Sequence, residues 1–205
     1  MYRHTLPIAL AALAAVVASP AQAAPTMTDQ VMLWQVFQVE PDTANRNDLF
    51  VYYTKQYWIT PQLGVYTFYN TSQSATVRAM YKFDLGDTGI SATTMGGIRM
   101  TGLGSNAKTL SAGFKEGPEV ALNVAKTFGG GFSVNALGSY ARLWGPNSGG
   151  AEPGNLYFYG ANLNQKVATS TTLSVGVLGS MLGGAWSDKL TFHNFGPTLS
   201  LTQAF

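Results

Sequence analysis

Residues 75–84 read ATVRAMYKFD, and its two faces differ sharply in character. Val77, Ala79, Tyr81 and Phe83 fall on one side of an extended chain; Thr76, Arg78, Met80, Lys82 and Asp84 fall on the other. Side chains alternate across a strand with a period of two, so the stretch is a two-faced β-ribbon. Two architectures accept such a ribbon. One is a half-buried antiparallel sheet with a wet face, and the other is a membrane barrel wall between lipid and a polar lumen.

The pattern recurs along the chain. Val120, Leu122, Val124 and Phe128 alternate with Ala121, Asn123, Ala125 and Thr127. Phe132, Val134, Ala136, Gly138 and Tyr140 alternate with Ser133, Asn135, Leu137 and Ser139, and Leu173, Val175, Val177 and Met181 alternate with Thr172, Ser174 and Gly176. Bounded by Gly, Pro, Asn, Asp and Ser, these runs predict strands near 30–39, 49–60, 63–71, 75–84, 90–100, 119–128, 131–143, 155–166, 171–182 and 190–205. Merging the first or third of these into its neighbours gives eight strands instead of ten. Short turns at Pro61-Gln62, at 85–88, at Gly129-Gly130 and at 167–170 alternate with longer polar connections at 40–48, 101–118, 144–154 and 183–189; the joint near Ser72 to Ser74 is the short exception. Short turns on one side and long loops on the other is the signature of a transmembrane antiparallel up-and-down barrel.

Composition favours the barrel over a soluble sandwich. Charged residues are 11% of the chain, against ~25% in ordinary soluble domains. All ten acidic residues fall in predicted loops, turns or strand ends, and charged groups are costly at mid-depth on a lipid face. Trp58, Phe83, Phe128, Phe132 and Phe205 lie near short turns, whereas Phe50, Tyr140, Trp144, Tyr157, Tyr159, Trp186 and Phe192 lie near long connections. Two such groups match aromatic girdles at the two headgroup levels. Tyr66, Phe68 and Tyr69 fit neither girdle.

The N-terminal segment MYRHTLPIALAALAAVVASPAQA has a basic residue, an apolar run over 8–18 and a small-x-small site at Ala21-Gln22-Ala23. It reads as a secretory signal peptide over 1–23, leaving 24–205 as one barrel domain. The apolar run is too short for a spanning helix, which needs ~20 residues. There are no cysteines, which excludes disulfides and thiolate-bound zinc. Lys and Arg nearly balance Asp and Glu, and no basic tract suggests nucleic acid.

The chain closes on LSLTQAF, with Leu199, Leu201, Gln203 and Phe205 on one face. A final amphipathic strand with a terminal Phe resembles the Gram-negative outer-membrane β-barrel class. That resemblance implies residence in the cell outer membrane, contact with its lipid, and Leu199, Leu201 and Phe205 as a signal read by the outer-membrane assembly machinery. The class usually carries an aromatic or apolar residue where Gln203 stands.

Catalytic chemistry has little to stand on. His193 is the one histidine beyond the signal segment, and His193-Asn194-Phe195 lacks the His-x-Ser arrangement of outer-membrane lipid hydrolases. If Phe205 faces lipid, His193 does too, unless a bulge at Gly196-Pro197 reverses the face. Glu116, Glu119, Glu152 and Asp188 show no spacing of a paired-acid site. The stretch GLGSNAK at 102–108 lacks the ending of a phosphate loop. No cluster has metal-ligand spacing, and no cofactor is implied.

The inward face is more informative. Arg78 and Lys82 should point into the lumen, with Arg99 on the neighbouring strand about four residues higher, or ~13 Å. A basic line without acids would favour anions in a narrow conduit. The same cations could instead bond Tyr, Asn and Gln in a plugged interior, because barrels of this size have little room. Two functional classes follow: a small porin-like or transport-type barrel whose selectivity is tuned by Arg78, Lys82 and Arg99, or a non-conducting barrel that binds an external ligand or partner through its long loops. An outer-membrane hydrolase ranks third.

Overall fold

A computed structural model describes residues 26–40, 47–71, 74–102, 114–144, 154–184 and 190–205. Those residues form ten strands: β1 (Thr26–Glu40), β2 (Asn47–Trp58), β3 (Leu63–Asn70), β4 (Ser74–Asp84), β5 (Ile90–Gly102), β6 (Phe114–Thr127), β7 (Phe132–Leu143), β8 (Gly154–Ala168), β9 (Thr171–Gly184) and β10 (Leu190–Ala204). Each strand pairs antiparallel with its sequence neighbours, and β1 pairs with β10, so the sheet closes in up-and-down order. β1 and β3 are separate strands, which excludes the eight-strand alternative. The segment 1–23 read as a signal peptide, Glu152, Trp186, Asp188 and the stretch 103–108 lie outside the described residues.

Four tight turns lie at one rim, and the connections 41–46, 103–113, 145–153 and 185–189 leave from the other. The tight turns depend on glycine where the backbone turns left-handed: Gly89 has φ 68° and Gly130 has φ 74°, a region that a Cβ disfavours.

The turn between β4 and β5 occupies 86–89, with Leu85 N donating to Ile90 O at 2.9 Å. Moving a four-residue turn by one position, from 85–88 to 86–89, shifts the cross-strand register by two. Arg78 therefore pairs with Gly97 and Arg99 with Thr76. Arg99 stands two residues above Arg78, not four.

β6 begins at Phe114, five residues earlier than its sequence signals suggest. Gly117-Pro118 looks like a loop, yet both residues pair with β5, at Arg99 and Ile98. The ladder from β6 to β7 runs up to Glu119↔Ala141 and resumes only as the Glu116↔Trp144 bridge. Pro118 sits in that gap, where its missing N–H costs no hydrogen bond on the β7 side. The extension carries Glu119 into the sheet.

The exterior is an apolar band. Val31, Leu33, Val77, Ile98, Val120, Leu122, Val175, Leu199 and Leu201 all point outward. A closed barrel leaves no unpaired edge, which is what hydrocarbon demands of a spanning backbone. The band ends near the short-turn rim, where Lys55 meets Asp29 at 3.6 Å on the outside. Gln203, which pairs with Asp29 across the β1–β10 seam, donates to Ser170 Oγ (2.7 Å) and accepts from Thr171 Oγ1 (2.8 Å). Its amide is bonded at both ends, so this polar residue is accommodated on the outer face.

Candidate functional site: the lumen

The lumen divides into two halves. Towards the long connections, Trp34, Val36, Tyr52, Phe68 and Leu178 form a buried cluster, with Phe50 and Phe158 packed against it. Ala141, Leu143 and Leu156 form a second cluster, also touching Phe158. Trp34, only 2% exposed, meets the Phe50 ring at 5.9 Å and the Tyr52 ring at 5.7 Å. Edge-to-face and tilted ring pairs of this kind add to the burial of their area.

Beside these clusters lies an ion network. Glu119 of β6 accepts from Arg78 of β4 through Nε (2.9 Å) and Nη2 (2.6 Å), and from Arg99 of β5 through Nε (2.9 Å) and Nη2 (2.7 Å). Thr76 Oγ1 donates to the same carboxylate at 2.7 Å, and Arg99 Nη1 donates to Ser74 Oγ at 3.0 Å. The Glu119 side chain is 0% exposed, Arg78 4% and Arg99 3%. Aromatic faces complete the enclosure. The Arg99 guanidinium lies over Phe158 at 4.4 Å and Phe68 at 5.1 Å, and that of Arg78 over Tyr66 at 5.1 Å. Charge-assisted forks onto one carboxylate, shielded by rings, are the strong form of such contacts.

The backbone makes room for these long side chains. Inward-facing Gly97 is the cross-strand neighbour of Arg78, and Gly117 that of Arg99. A Cβ at Gly97 would meet Val77 O, and one at Gly117 would meet Arg142 O. Only glycine permits that approach on the two sides of Glu119.

Sequence reasoning placed Arg78 and Arg99 inward, and the structure brings them together. It does not bring Lys82 to them. Lys82 faces the lumen at the short-turn mouth, 3.0 Å from Asp84 on its own strand. The expected acid-free basic line is corrected: Glu119, read as a solvated acid at a strand end, is a buried residue well inside β6 that binds both arginines. Two girdle readings also change. Phe50 packs inside against Trp34, and Trp58 lines the lumen cavity. Tyr66 and Phe68, which fitted neither girdle, are the rings beneath the arginines, whereas Tyr69 is exposed on the outside.

Towards the short turns the lumen opens into a cavity of about 310 Å³. Amides and hydroxyls line it, Gln30, Thr54, Asn123, Asn135, Asn162 and Asn164 among them, beside apolar side chains such as Met32, Met80 and Leu137 and the two arginines at its inner end. The polar groups hold one another in place. Asn164 donates to Asn135 Oδ1 (3.0 Å), Asn135 to Asn123 Oδ1 (2.9 Å), and Gln30 to Ser200 Oγ (2.9 Å).

His193 lies on the outer face, where its Nε2 is 2.6 Å from the Tyr159 hydroxyl. The β9–β10 register runs unbroken from Phe192 to Gln203, so no bulge at Gly196-Pro197 turns it inward. Among the described residues, no group of three or more His, Asp or Glu side chains is placed to hold a metal ion.

Fold and surface together define an outer-membrane-type transmembrane β-barrel. Among solved structures, the chain is similar to Neisserial surface protein A (10% identity, 91% of this chain and 100% of that one, TM-score 0.35). It is likewise similar to the translocator domain of the autotransporter NalP from Neisseria meningitidis (13% identity, 98% and 96%, TM-score 0.36) and to the CymD monoaromatic hydrocarbon channel (9% identity, 90% and 89%, TM-score 0.37). At this level of similarity none of them carries an activity over to this chain. No protein-family model matches it, and no curated protein sequence does.

Proposed function

We propose that this chain is an outer-membrane barrel that is shut at rest and acts by binding, not as an open pore. One observation carries the reading: the Glu119 carboxylate has no exposed surface between Arg78 and Arg99, in the half of the lumen that Trp34 and Tyr52 fill. Two cations that share one buried acid and lie against rings, with almost no exposed surface, do not line an open path for passing anions. The long connections all leave the same rim, where an external ligand or partner would meet them.

A transport reading rests on the cavity below the seal, which would become a conduit if the seal moved. Planar-bilayer recording of the refolded full-length chain separates the two. The expected result is no unitary current from barrels that migrate as folded on unheated gels. Stable ohmic steps from wild-type protein would overturn the shut-barrel reading.

A further inference from the structure

We propose that the lumen cavity is a binding site for a small organic carboxylate, reached from the short-turn mouth. Three observations converge on it. The first is charge. Arg78 and Arg99 share one carboxylate, so the cluster keeps one net positive charge, and among the described residues no second acid is ion-paired to it. A buried charge without a counter-charge is costly, and an anion from outside would relieve that cost.

The second is unused hydrogen-bonding capacity at the cavity wall. Among the described residues, Arg78 Nη1, on a side chain 4% exposed, reaches only the Met95 thioether, at 3.9 Å. Sulfur is a weak acceptor, so the N–H is poorly matched there. Ser139 of β7, 8% exposed, has a buried Oγ with no partner among the described residues. Both residues line the cavity. Register brings them to the same level: Ser139 pairs with Ala121 and Ala121 with Met95, the residue that Arg78 Nη1 reaches. A guanidinium N–H and a hydroxyl are suitable donors for the two oxygens of a carboxylate.

The third is the remainder of the wall. Below the arginines its lining residues are uncharged, amides and hydroxyls interleaved with apolar side chains such as Met32, Met80 and Leu137, and the polar groups are tied into fixed orientations by Asn164–Asn135–Asn123 and by Thr54–Gln30–Ser200. Such a surface suits a hydroxylated body and gives no counter-charge to a second ionic group. At about 310 Å³, the cavity sits at the small end of ligand pockets, ~300–1,000 Å³.

The test is calorimetric titration of the refolded full-length chain in detergent with gluconate, glucose and glucosamine, three probes of similar size and different charge. Gluconate should bind about tenfold or more tightly than glucose, as one charge-assisted contact warrants, and glucosamine should not bind. Ser139→Ala should weaken gluconate severalfold while leaving the barrel folded, since Ser139 has no bond to lose. Ser139→Asp supplies the absent counter-charge from within, so it should fold at least as well as wild type and lose gluconate binding. Equal affinity for gluconate and glucose, no binding of gluconate, or gluconate affinity unchanged in both Ser139 variants would overturn the proposal. Conductance plays no part in this readout, so the shut-barrel reading stands or falls separately.

Discussion

The two halves of the lumen are built from the same ten strands, with the same alternation, and differ in kind. The half towards the long connections is dry: rings, aliphatics and an ion network with almost no exposed surface. The half towards the short turns is a cup of amides, hydroxyls and apolar side chains around open space, with the two arginines at its inner end. Inward positions of a barrel need only be compatible with a filled or wet interior, so the strand pattern does not distinguish them. On the shut-barrel reading, closure of the lumen is a property of a few residues, not of the fold.

The largest break in this contrast should come from Glu119→Ala, which leaves two buried guanidiniums without their shared acid. Removing one partner of a buried ion pair costs roughly 3–5 kcal/mol, to be read as a lower urea midpoint for the barrel in lipid vesicles. Unitary currents should appear in the folded fraction as water enters the seal. A second comparison sets inside against outside at the same height. Val120, adjacent to Glu119, faces lipid, and Val120→Arg should cost ~2–4 kcal/mol by the same titration, against ~0–1 for Gln203→Arg at the rim. The smallest effect belongs to the cup. Asn135→Ala removes bonds to Asn123 and Asn164 where space is open to water, and should cost only about 1 kcal/mol, with no current.

The exterior was legible in the sequence because lipid admits one kind of side chain and the strand period is two. Outward Val77, Tyr81, Leu122, Val175, Leu199 and Leu201 follow directly from that rule. The interior was not, because its content depends on register. A turn displaced by one residue put Arg99 two residues nearer to Arg78, and Gly117-Pro118 disguised the strand that carries Glu119. Position near a strand end marked Phe50 and Trp58 as girdle residues, but parity with Tyr52 and Thr54 turns both inward. Tyr66 and Phe68 were the available clue: rings at no membrane level invite the question of which cation they cover.

The ion network also bears on the order in which the wall is completed. Arg78, Arg99 and Glu119 sit on β4, β5 and β6, and the rings Tyr66 and Phe68 on β3. Those four strands are consecutive, so every salt bridge of the cluster can exist in a curved open sheet before β1 finds β10. Only the Phe158 stack on Arg99 reaches across from β8. An unfinished barrel would already hold both arginines on Glu119, and the later strands would bring the Phe158 ring to a polar centre assembled ahead of them.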